Sequence, residues 1–68
     1  MVRYIVASDS FYVAHVQDDF ISLLNVGKPD PEYYHFSTLD SANRVADKIN
    51  SNGDDRHIGY FKVIPVDV

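Results

Sequence analysis

Only one stretch of the chain carries helical periodicity, and it has to cover everything else. Residues 36–53 read FSTLDSANRVADKINSNG. Leu39, Ala42, Ala46 and Ile49 form one stripe of a 3.6-residue period, with Val45 on its flank. Ser37 or Thr38 supplies an N-cap oxygen for a first-turn N–H, and Ser37 with Asp40 has the spacing of a capping box. Asp40 also complements the positive end of the helix dipole. Asn52-Gly53 ends the helix, since either residue takes the left-handed conformation at low cost. Ser41, Arg44, Asp47 and Lys48 occupy the outer face. The stripe is narrow and built of small residues, which predicts close packing onto a sheet.

The remaining segments read as strands. Residues 2–7 (VRYIVA) and 11–16 (FYVAHV) are β-branched and aromatic, with Ser8-Asp9-Ser10 as a hairpin break between them. Gln17-Asp18-Asp19 breaks the second strand. Residues 20–26 (FISLLNV) form a third apolar run, expected as a strand although Phe20, Leu23 and Leu24 also fit a helical turn. Gly27-Lys28-Pro29-Asp30-Pro31 is a loop, because each proline removes a donor and restricts the residue before it. Residues 32–36 (EYYHF) are expected as a short strand leading into the helix. A polar turn at 52–56 leads to a last strand at 57–66, in which Pro65 requires an edge or a strand end. The expected architecture is α+β: one domain with an antiparallel sheet of about four strands and one helix packed on one face.

Both faces of these strands carry large side chains. In the last strand Ile58, Tyr60, Ile64 and Val66 alternate with Phe61 and Val63. In the second, Phe11 and Val13 alternate with Tyr12, Ala14 and Val16. A sheet covered on one side alternates apolar with polar more cleanly. Either the segment 17–35 folds over the second face or that face meets another molecule.

At 68 residues the core is small, and without cysteine neither disulfides nor thiolate-bound zinc can reinforce it. Oligomerisation is the remaining common support. The net charge of −4 argues against direct nucleic-acid binding, which favours a basic patch. No apolar run is long enough for a signal peptide or a membrane span, which fits a cytoplasmic protein.

Chemistry-bearing patterns are sparse. His15, His35 and His57 share no ligand spacing, so isolated sheet histidines are expected and no metal or cofactor is. Asp18-Asp19 and Asp54-Asp55 fall in predicted turns, where Asp is favoured for backbone reasons rather than for acid–base work. The acids are scattered, although an acidic nucleic-acid mimic stays open as an alternative. Arg3, Arg56 and Lys62 with the aromatics can form a small anion or nucleotide pocket, but no Gly-rich phosphate loop accompanies them. The serines include no nucleophile-elbow context, and no enzymatic activity is expected. Tyr33-Tyr34-His35-Phe36 is an aromatic cluster of the kind enriched at interfaces, with about half of it expected in the core.

The YIV strand near the N-terminus, the FYVAHV strand, Phe36-Ser37-Thr38 with Ala42, Ala46 and Ile49, and the closing strand together resemble small proteins encoded in the early regions of bacteriophages and prophages. The resemblance implies an inhibitor or modulator of a host protein, including anti-defence roles, and carries no functional residue with it. The expected partner-binding residues are Tyr12, Tyr33, Tyr34, Tyr60 and Phe61, on the uncovered sheet face and the aromatic segment. A homodimer, or a small-ligand-binding homo-oligomer, can use the same surface.

Overall fold

The computed structural model describes residues 1–18, 20–27, 29, 31–52 and 59–68. Five elements follow in the order β1 (Val2–Ala7), β2 (Phe11–Gln17), β3 (Phe20–Asn25), α1 (Leu39–Asn52) and β4 (Lys62–Asp67). The strands form one antiparallel sheet of order β3-β2-β1-β4, with β3 and β4 at its two edges. This is the expected α+β architecture, and the 20–26 run is indeed a strand.

The helix begins as its sequence demands. Thr38 is the N-cap: its Oγ1 accepts from the Ser41 N–H at 3.2 Å, and its carbonyl accepts from the Ala42 N–H. The Thr38–Ser41 pairing replaces the expected Ser37–Asp40 box. Asp40 instead faces Arg44 one turn on, at 3.5 Å on the exposed face. Ala42, Ala46 and Ile49 are buried as the stripe predicts. Leu39, in the first turn, is not; it is 49% exposed.

The core lies between α1 and one sheet face. Val6, Val13, Phe36, Phe61 and the three buried helix residues form it, with Tyr4, Phe11, Val16, Ile21, Leu23, Tyr34, Val45 and Val63 packed around them. Val16 joins this side because of a bulge. The β2–β3 register steps from Val13↔Leu23 to His15↔Ser22, so one extra residue of β2 is accommodated there. Strict alternation places Val16 opposite Val13; the bulge reverses it.

The sheet is split near its middle. β1 and β2 pair only at Ala7↔Tyr12, beside a turn in which the Ser8 hydroxyl accepts from the Phe11 and Ser10 amides. Beyond that point the strands diverge, and residues 34–36 enter between them. The Tyr4 and Phe36 amides each donate to the other residue's carbonyl, at 3.0 and 2.7 Å. On the other side the Tyr34 amide donates to the Val13 carbonyl at 3.0 Å. The expected strand at 32–36 is therefore a single bridge, an extended wedge too short to build a ladder. It satisfies backbone groups that the diverging strands leave open.

The last strand is shorter than expected. It starts at Lys62, and residues 59–61 precede it without strand pairing. Gly59 has φ 80, a left-handed conformation, and a Cβ there would sit 3.4 Å from the Ser8 Cβ. Phe61 is held by the helix instead of a strand. Its N–H donates to Asn50 Oδ1 at 2.9 Å, and Asn50 Nδ2 donates to its carbonyl at 3.1 Å.

Candidate functional site

The five aromatic residues expected at an interface are dispersed by the fold. Tyr12 is wholly buried and Phe61 is 1% exposed, so neither lies on an open face. Phe61 is part of the core beneath α1. Tyr12 lies on the other sheet face, where the wedge covers it. The Tyr33 ring packs on it with centroids 4.7 Å apart, and the Glu32 amide donates to its hydroxyl at 3.3 Å. The second face is thus partly closed by the chain's own 31–36 segment. Tyr33 and Tyr34 are half-buried and point to opposite sides of the wedge. Tyr34 stacks edge-on against Phe36 at 4.8 Å and approaches His15 at 6.4 Å. Tyr60 alone matches the expectation of an exposed aromatic, at 65%.

Tyr60 and Phe61 meet elsewhere, in a groove between α1 and β4. The groove has a volume of about 420 Å³ and is lined by Leu39, Asn43, Ala46, Asp47, Asn50, Tyr60, Phe61, Lys62 and Val63. Its floor is apolar, from Ala46, Phe61 and Val63. Leu39 stands on the helix side and Tyr60 on the strand side. Asp47 and Lys62 bring one charge of each sign, both on exposed residues. Sequence reasoning missed the helix contribution, from Leu39, Asn43 and Asp47. A usable signal existed in Leu39, an apolar residue in the first turn next to the cap.

The groove sets an apolar floor among exposed polar side chains. The Asn50 amide, the most enclosed polar group of the groove, is occupied at both ends by the Phe61 backbone. Arg3 and Lys62 do not form an anion pocket. They sit at opposite ends of the β1–β4 pairing, where Arg3 faces Val66 and Lys62 faces Ala7. Four residue steps along the strand separate those positions, roughly 13 Å. Arg56 lies outside the described residues, as do Lys28, Asp19, Asp30, Asp54, Asp55, His57 and Ile58. Among the described residues no group of three or more His, Asp or Glu side chains is placed to hold a metal ion. His15 and His35 are both exposed. Asp18 forms a turn with φ 54, next to the Gln17↔Phe20 pair that closes the β2–β3 hairpin. No helix among the described residues is long and apolar enough to cross a membrane. Comparison with protein-family models, with curated proteins and with solved structures finds no match.

Proposed function

We propose that the chain is a non-covalent protein-binding module, a phage-type inhibitor or modulator of a host protein, and that the partner docks in the α1–β4 groove. One observation carries this reading: Leu39, about half exposed, and Tyr60, about two-thirds exposed, stand on either side of an apolar floor. Exposed apolar groups rimming a concave floor gain when a partner side chain closes over them. Burying the exposed part of each contributes about 1 to 2 kcal/mol. Asp47 and Lys62 at the rim favour a partner with both signs of charge rather than a polyanion or polycation. The acidic-mimic alternative lacks support of this kind, because only Asp40 and Asp47 share an element, α1, while Asp9, Asp18 and Asp67 lie in two separate turns and in β4. A host protein is the partner class that the phage resemblance implies.

The test is capture from bacterial lysate by the tagged chain, beside the Tyr60→Ala and Leu39→Asp variants, with circular dichroism confirming the fold of each. The expected result is one partner held by the parent chain and lost by both variants. A partner retained equally by both folded variants removes the groove from consideration. A volume of about 420 Å³ also falls in the range of small-molecule sites. A thermal shift with a small apolar ligand, abolished by Tyr60→Ala, would favour that second reading.

A further inference from the structure

The two edges of the sheet differ, and the difference points to a self-association surface on β3. The Val26 amide donates inward to the Ser10 carbonyl at 3.0 Å. Backbone direction alternates along a strand, so Leu24, Ser22 and Phe20 also direct their backbone groups toward β2. Ile21, Leu23 and Asn25 therefore direct theirs outward, away from the sheet. No charged residue or proline interrupts 20–25 (FISLLN), and an edge that pairs with no further strand among the described residues is a template for another strand. Phe20 and Leu24 are exposed beside it, at 67% and 37%.

We propose that this edge pairs with the same edge of a second copy, antiparallel, about a two-fold axis at Ser22. The argument for a second copy is the symmetry of the segment itself. Phe20-Ile21-Ser22-Leu23-Leu24 has the same apolar pattern in both directions from Ser22. An isologous antiparallel contact requires that self-complementarity. Centred there, Ile21 lies opposite Leu23 of the second copy, and their outward backbone groups pair. Phe20 lies opposite Leu24 of the second copy, joining the two exposed side chains, and the two Ser22 residues face one another. Centring on Leu23 instead would set Ile21 against Asn25. Net charge of −4 opposes association, yet no ionised side chain lies within 20–25. A contact of one short strand per copy is small, so the dimer is expected to be concentration-dependent. The surface is on the opposite edge from the α1–β4 groove and does not rest on the reading of that groove.

The experiment is sedimentation or light scattering on the full chain, from about 1 μM to about 1 mM, a range that spans weak association. The parent chain is expected to shift from monomer to dimer. Ser22→Lys, which opposes two like charges at the axis, is expected to weaken dimerisation about tenfold or more. Ser22→Cys gives a second readout that does not depend on tolerance of a charge. The chain has no other thiol, and Cα atoms at a non-hydrogen-bonded antiparallel pair are about 4.5 Å apart, within disulfide range. Mild oxidation of Ser22→Cys is expected to give a covalent dimer, and oxidation of Leu24→Cys to give little. A monomer throughout the range overturns the proposal, as does a dimer that ignores Ser22→Lys. Preferential cross-linking of Leu24→Cys overturns the register.

Discussion

β4 and β3 are both edge strands, and the chain treats them in opposite ways. Tyr4 gives both backbone groups to Phe36, so its partner Pro65 directs its own backbone outward. There the missing donor of proline blunts the edge. Two positions before Val63, the Phe61 amide and carbonyl are occupied by Asn50. Val63 is left between a proline and an amide clamp. At β3 the outward positions Ile21, Leu23 and Asn25 carry neither device. An edge is closed to other chains by a few specific residues, and the placing of those residues marks where contact is avoided and where it is allowed.

The comparison can be broken first at its anchor. Phe61→Ala removes a buried ring from the core under α1 and is expected to cost about 3 to 5 kcal/mol, measured by urea unfolding. The same change at Phe20, two-thirds exposed on the opposite edge, is expected within about 0.5 kcal/mol of the parent chain. Comparable losses at both positions would mean that the β3 edge is not open. Next, Asn50→Ala frees both backbone groups of Phe61 and is expected to cost about 2 kcal/mol in the same assay. It should also speed amide exchange at Phe61. The smallest stability effect is expected for Pro65→Thr, within about 1 kcal/mol, because the restored N–H points outward. Its consequence is oligomeric: β4 gains a donor, and higher species should appear by light scattering.

The elements were largely readable from residue pattern, since each uses a strong signal: the Ala42–Ala46–Ile49 stripe, the β-branched strands and Pro65 as an edge residue. Side-chain facing was less readable. Val16 is placed by a one-residue bulge at a small residue, Ala14, which leaves no trace in hydropathy. Tyr12 and Phe61 looked like surface aromatics because each stands beside another large residue. Tyr12 is enclosed by Tyr33, twenty-one positions away, and Phe61 by the core beneath α1, where Asn50 anchors its backbone, neither of which local periodicity encodes. Residues 32–36 have strand-like composition because they are extended, yet their role depends on the divergence of β1 and β2, a tertiary fact. The groove was missed for the same reason, being assembled from a helix start and a strand start that the sequence keeps far apart.

The wedge at 34–36 also sets an order on assembly. β2 and β3 are adjacent in the chain and can close on each other early, with little loop entropy to overcome. β1 cannot follow by simple zippering, because beyond Ala7↔Tyr12 its neighbours are Phe36 on one side and residues 62–67 on the other. β1, which precedes the other three strands in the chain, is expected to be among the last to complete its pairing. Such dependence on distant partners slows folding and couples it into a single event. The β2–β3 pairing, local in sequence, is therefore expected to be more developed in the folding transition state than the β1–β4 pairing, a difference that substitutions in the two strand pairs would read out in folding rates.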